Sequence, residues 1–274
     1  MRLLARCVLC PHECNVNRLK GELGICRVGG KPKVSSAFLH FGEEPCLVGR
    51  GGSGTIFFTG CNLKCVFCQN YEISQLLYGR EITLEDLRSI ARSLEINGAE
   101  NVNLVTPTHQ VAFILESFSR YGKPDIPVVY NCGGYEKVET LKLLENVVDI
   151  YMPDFKYGYD DLAKRFSGCG DYVERALEAL EEMVNQQPAV VIENGVMKKG
   201  VLVRHLILPG YVDSSLKVLE LLQPYRDSIL LNVMDQYRPQ YRAREFGELS
   251  HPLKVEEFRT VLIKAKEMGF VLVR

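Results

Sequence analysis

Three cysteines, Cys61, Cys65 and Cys68, stand in a C-x3-C-x2-C arrangement, and an aromatic residue, Phe67, comes immediately before the last of them. That spacing draws three thiolates into one tight loop. Four cysteines would close the coordination of a [4Fe–4S] cluster, whereas three leave one iron without a protein ligand and open to a small molecule. A structural zinc loop or a surface thiol cluster are the competing readings of the same residues. The apolar run Thr55-Ile56-Phe57-Phe58-Thr59 precedes the loop and reads as a buried strand that carries it.

A second set of thiols lies near the N-terminus: Cys7-x2-Cys10-Pro11-His12-Glu13-Cys14, then Cys26 close to Gly29-Gly30. The C-x2-C opening sets two thiolates on one knuckle, and four in all complete either a tetrahedral zinc site or a second iron–sulfur cluster. His12 is an alternative donor, and free thiols in a mobile arm are the bland reading. Seven of the ten cysteines fall in these two sets, with Cys46, Cys132 and Cys169 scattered, so reduced thiols on metal fit better than disulfides. Cys46 reads as a small buried residue.

The text around the first set, Gly60-Cys61-Asn62-Leu63 and Cys65-Val66-Phe67-Cys68-Gln69-Asn70, resembles the radical S-adenosylmethionine (SAM) enzymes, and within them the pyruvate formate-lyase activating enzyme-like branch. The phrase Cys10-Pro-His-Glu-Cys14 with Gly24-Ile25-Cys26 resembles a subgroup of that branch with a cysteine-rich N-terminal extension. The resemblance implies a [4Fe–4S] cluster whose open iron chelates SAM. It also implies reductive cleavage to a 5′-deoxyadenosyl radical, a reductant such as flavodoxin or ferredoxin, and a hydrogen atom taken from a backbone glycine of a protein substrate. Radical modification of another protein, a peptide or a small molecule is the second enzymatic reading. A non-enzymatic electron carrier or redox sensor is the third.

In parallel sheets and barrels, ligands gather at the carboxyl ends of the strands, which makes the strand ends site candidates. After the second strand, activating enzymes carry a Gly-Gly-Glu motif for the SAM amino group. This chain has Thr106-Pro107-Thr108-His109, whose hydroxyls, carbonyls and imidazole offer different atoms for the task, unless Thr108 caps the next helix. After the third stands Asn131-Cys132-Gly133-Gly134-Tyr135, with Asn131 suited to ribose hydroxyls and Cys132 to hydrogen-atom donation or to inert burial. Asp154-Phe155-Lys156 resembles the Asp-x-Lys that lies near SAM or a cation in activating enzymes, the alternative being a solvated salt bridge. On the fifth strand, Arg204 is a candidate to fork onto the SAM carboxylate. His205 faces the other way and reads as a core histidine. Tyr237 and Arg238 head the residues after the sixth strand that suit substrate recognition or surface packing.

These residues need a frame. Short apolar runs at 126–131, 147–154, 201–208, 229–234 and 270–273 follow 55–59 and 101–106, and they alternate with helical patterns at 110–120, 135–145, 171–185, 214–224 and 255–268. Thr83-Leu-Glu-Asp86 reads as a capping box opening a further helix, and Glu193-Asn194-Gly195 as a hairpin turn before the fifth strand. The alternation predicts an α/β chain of parallel units, a partial (β/α)6 TIM-type barrel over residues 51–274. Residues 1–50 form a small cysteine-rich metal module and its linker, with Gly49 to Gly54 as a flexible turn and no phosphate-loop lysine. The 33 Lys+Arg against 34 Asp+Glu mark no nucleic-acid or membrane surface. Without an apolar leader or an apolar run long enough to span a bilayer, the expected location is the cytoplasm.

Overall fold

The alternating runs build a mostly parallel sheet. In the computed structural model, which describes residues 2–273, α1 (Arg2–Ala5) opens the cysteine-rich segment, followed by β1 (Lys33–His40), α2 (Pro45–Val48), β2 (Ser53–Phe58), α3 (Tyr71–Ser74), β3 (Arg80–Glu81), α4 (Leu84–Ile96) and β4 (Asn101–Val105). The chain continues through α5 (Val111–Tyr121), β5 (Val128–Cys132), α6 (Val138–Lys142), β6 (Ile150–Pro153), α7 (Asp160–Ser167) and α8 (Tyr172–Gln186). It ends with β7 (Val191–Glu193), β8 (Val196–Leu206), α9 (Val212–Leu222), β9 (Ile229–Met234) and α10 (Val255–Glu267). Strands β2, β4, β5, β6, β8 and β9 lie side by side and parallel, the six βα units expected. Among the described residues no helix is long and apolar enough to cross a membrane.

Local chemistry sets the element ends. Thr83 Oγ1 accepts from the Asp86 amide at 3.0 Å and Asp86 Oδ2 accepts from the Thr83 amide at 2.9 Å, the reciprocal cap that starts α4. Asn194 and Gly195, at φ 52° and 80°, turn β7 antiparallel onto β8. The glycine-rich stretch after α2 is held by Glu100, whose Oε1 accepts from the Arg50 and Gly51 amides at 3.1 and 3.3 Å; those amides are not left to cradle a phosphate.

Alternation along the strands separates two interiors. Outward residues such as Ile56, Val102, Leu104 and Val128 pack with Leu87, Ala91 and Ile114 of α4 and α5, while Val201, Val203 and Leu231 pack beneath α8 to α10. The inward side is layered. Val129, Ile150, Met152, Leu202 and Leu230 form an apolar floor with Cys46 and Leu47 of α2. Polar residues of the same strands, Asn103, Asn131, Asp154, Arg204 and Asn232, bond to one another or to the loop before α2. Asn103 Nδ2 donates to Glu43 at 2.9 Å and Asn232 Nδ2 to Glu44 at 2.6 Å, so the loop before α2 plugs the barrel from its amino-terminal end.

Several expectations change. Residues 33–40, read as linker, form β1, which pairs antiparallel with β2 and with β3 and so belongs to the main sheet. The strand expected at 270–273 reduces to a single bridge, Leu231 to Leu272. The helix expected over 135–145 narrows to α6, because Tyr135 and Glu136 turn inward as buried groups. Helix α7 lies outside the helical patterns expected from the sequence; its acidic start and basic end, Asp160-Asp161 and Lys164-Arg165, complement the helix dipole.

Candidate functional site

At the carboxyl ends of the parallel strands lies a cavity of about 250 Å3, edged by Cys61, Cys65 and Cys68. The loop after β2 delivers them. Gly60, at φ 87°, begins it where a Cβ would come within 2.6 Å of the Cys26 carbonyl, so only glycine lets the N-terminal segment approach so closely. Each sulfur has a donor or hydroxyl beside it. The Leu63 amide donates to Cys61 Sγ at 3.3 Å, the Ser167 hydroxyl donates to Cys65 Sγ at 2.9 Å, and Cys68 Sγ lies 3.2 Å from Ser74 Oγ. Phe67 is buried behind them, its ring near those of Tyr157 and Tyr237.

Among the described residues no three His, Cys, Asp or Glu side chains converge as ligands of a metal ion; the three thiols edge one shared space instead. Burial, and then the nearness of Cys65 and Cys68, pushes the Cys61 thiol up to about 12. Thiols crowded in this way ionise only when a cation shares the charge, and soft sulfur donors select iron–sulfur clusters or zinc. The donor set therefore fits a cluster, with Cys61, Cys65 and Cys68 as its protein ligands.

The other wall is polar. Arg204 donates from Nε to Asp154 Oδ1 at 2.9 Å and from Nη2 to Asn131 Oδ1 at 2.8 Å, and Lys156 Nζ reaches Asp154 Oδ2 at 2.5 Å. Burial would raise the Asp154 carboxyl, but Arg204 and Lys156 together hold it below its ordinary value. The pair read as a solvated bridge or a ligand contact is thus part of a buried network with Arg204 at its centre. The Arg204 fork is already engaged with Asp154, Asn131 and Glu43, so it orients those oxygens. Thr106 also lines the cavity, and at φ 59° it holds a left-handed conformation that a β-branched residue rarely adopts.

Thr108 is not in the lining. Its hydroxyl donates to Glu136 Oε1 at 2.6 Å, and His109 is buried with Nε2 2.7 Å from the Thr59 carbonyl oxygen, away from the cavity. Cys132 does line it, with its thiol engaged by Glu136. That glutamate was missed in the sequence. It is fully buried, accepts from Thr108 and from the Tyr130 hydroxyl at 2.9 Å, and burial pushes its carboxyl up to about 7. A lone acid at the end of the Asn131–Tyr135 stretch was the available signal. His205 is the core histidine expected, between the Phe155 carbonyl and Ser215 Oγ at 2.7 and 2.9 Å. After β9 it is Met234 and Gln236 that reach the cavity, whereas Tyr237 is buried with its hydroxyl on the Leu249 carbonyl at 2.6 Å and Arg238 bonds the Tyr237 carbonyl. A larger groove of about 590 Å3 between α6 and α8 is lined by Glu139, Glu178 and Glu181 and touches none of the three thiols.

The N-terminal thiols sit against this loop. Cys10, Cys14 and Cys26 lie close enough that each disfavours ionisation of a neighbour, with burial the largest effect on Cys10 and Cys26. His12, the alternative donor, turns Nε2 to the Asn62 carbonyl at 2.8 Å, tying the segment to the residue next to Cys61.

The sequence matches the Radical SAM superfamily over residues 55–222. It is 34% identical to the uncharacterized protein MJ0674 of Methanocaldococcus jannaschii over 99% of this chain and 77% of that one. It is 23% identical to pyruvate formate-lyase 1-activating enzyme of Escherichia coli strain K12, over 57% of this chain and 61% of the enzyme. The fold is similar to the crystal structure of a radical SAM methyltransferase from Sphaerobacter thermophilus, with a TM-score of 0.50 and 13% identity, covering 80% of this chain and 65% of that one.

Proposed function

Because the chain belongs to the radical SAM superfamily, we propose that it acts as an activating enzyme that takes a hydrogen atom from a backbone glycine of a partner protein. The superfamily uses a [4Fe–4S] cluster and SAM. When bound, the cluster supplies the electron that cleaves SAM to methionine and a 5′-deoxyadenosyl radical, and the protein's part is binding, orientation and exclusion of water.

Cys61, Cys65 and Cys68 would hold the cluster. Asp154 and Lys156 present opposite charges on one wall, a match for the zwitterionic amino-acid end of SAM, and Arg204 keeps Asp154 and Asn131 in register as a positioning residue. Asn131 and Thr106 offer polar atoms toward the nucleoside. Phe67 packs the loop from behind. A one-electron reductant of the flavodoxin or ferredoxin kind would supply the cluster held there.

The observation that carries the activase reading is the place of the cavity. It lies at the open ends of the strands and is edged by the three thiols, the side from which a slender main-chain loop would approach, and glycine is the residue with no side chain to seat. The similarity to the activating enzyme over 164 residues supports it.

Reconstituted without oxygen and reduced, the protein should release methionine and 5′-deoxyadenosine, and Cys65→Ala should abolish both. With a glycyl-radical-enzyme candidate whose glycines carry α-deuterium, the label should appear in 5′-deoxyadenosine together with a glycyl electron paramagnetic signal. SAM cleavage that puts label from another residue, a peptide or a small molecule into the nucleoside would overturn the activase role while leaving the superfamily chemistry intact.

A further inference from the structure

Arg18 is among the most deeply buried side chains of the protein, 1% exposed, although arginine stays charged at any ordinary pH. A charge taken out of water needs an opposite charge near it. Its hydrogen-bond partners supply none. Nε donates to the Gly29 carbonyl at 3.0 Å and Nη1 to the His109 carbonyl at 2.8 Å, while the guanidinium lies 5.3 Å from the centre of the Phe113 ring. Carbonyls and a ring satisfy donors but carry no net charge, and Nη2 is buried with no partner at all.

Beside these partners lies sulfur. Nη1 stands 4.0 Å from Cys7 Sγ, and the guanidinium partly offsets the burial that raises the Cys26 thiol. Three sulfurs of the same group each accept a backbone amide: Cys14 from Ile25 at 3.5 Å, Cys10 from His12 and Cys26 from Val28. Amides aimed at sulfur also suit a metal-bound thiolate, whose sulfur accepts hydrogen bonds. Gly24 completes the cradle, since a Cβ there would come within 2.8 Å of Cys14 Sγ.

We propose that Cys7, Cys10, Cys14 and Cys26 hold a metal–tetrathiolate centre and that Arg18 is its internal counter-charge. A divalent zinc with four thiolates and an oxidised [4Fe–4S] cluster with four thiolates both carry a net charge of about −2. Either makes the burial of Arg18 intelligible; among the described residues no three of these thiols converge on one point as a single ion needs, which favours the wider cluster, and metal counting decides. The assignment stands apart from the SAM chemistry, because none of the cavity thiols takes part in it.

The test uses the full chain with Cys61, Cys65 and Cys68 replaced by Ala, purified without oxygen. It should retain about one zinc, or about four irons with matching sulfide. Arg18→Met in that chain should weaken retention against a chelator by about 10- to 100-fold, with Arg18→Lys closer to the parent. After the metal is stripped, the sign should reverse: Arg18→Met should melt at a higher temperature than the parent, because the uncompensated charge is gone. A parent chain with no bound metal would overturn the proposal without recourse to any Arg18 variant. So would an Arg18→Met chain that holds metal as tightly as the parent, or one that loses stability equally in the loaded and stripped states.

Discussion

Glu136 is an acid buried behind the cavity wall, where its proton is worth more than its charge. Its carboxyl rises from 4.5 to about 7 through burial, even though the Thr108, Tyr130 and Cys132 donors favour the anion. The stability tied to that proton is fully present below pH 4.5 and is lost as pH rises through about 7. Between pH 5 and 8 the wild-type protein should therefore lose up to about 3 kcal/mol relative to Glu136→Gln, read as diverging urea midpoints; parallel midpoints would refute it. At this scale the sequence was informative where chemistry depends on residue type and spacing. The three loop cysteines, Phe67, Thr106, Asn131, Cys132, Asp154, Lys156 and Arg204 all line one cavity. It was blind where a side chain's direction depends on a neighbour: Thr108 serves Glu136, and Tyr237 serves the Leu249 carbonyl, because each found its partner across the fold.

Among the elements, α2 shows what the sequence could not tell. It is four residues long, too short for any periodicity, yet Leu47 is fully buried in the barrel floor and its carbonyl accepts from Asn101 Nδ2 at 2.7 Å. Leu47→Ala should leave a void among Val129, Ile150, Met152 and Leu202 and cost about 2–5 kcal/mol in denaturant unfolding, with an effect below about 1 kcal/mol showing that the floor can collapse to fill it. The long elements were legible because their patterns are long: α4 with its Thr83 cap, α8, α9, α10 and β9 stand where alternation and helical spacing put them. Strand β1 was not, since Ser35 and Ser36 in its middle and an exposed Phe38 give it no apolar face of its own. It is a strand because β2 offers it an edge.

In the whole molecule the two cysteine sets are joined. His12 bonds the Asn62 carbonyl, Arg18 bonds the His109 carbonyl, Lys33 Nζ bonds the Leu77 carbonyl at 3.1 Å, and Leu4 and Leu9 pack with Phe113 of α5. The N-terminal segment is thus a brace on the cysteine loop. Removing one such bond costs about 1 kcal/mol, so His12→Ala should speed iron loss from the Cys61 loop to a chelator by about fivefold while the N-terminal metal count stays unchanged; equal loss from both sets would show that His12 serves its own site first. The plug at the other end of the barrel has a different outcome. With Glu43, Glu44 and Leu47 stoppering the base, the chamber opens at the carboxyl ends of the strands. If the proposed partner presents its loop there, spent methionine and nucleoside would depart by the passage through which that loop arrives, so a partner that lingers across the threshold would detain the products and turnover would wait on its leaving.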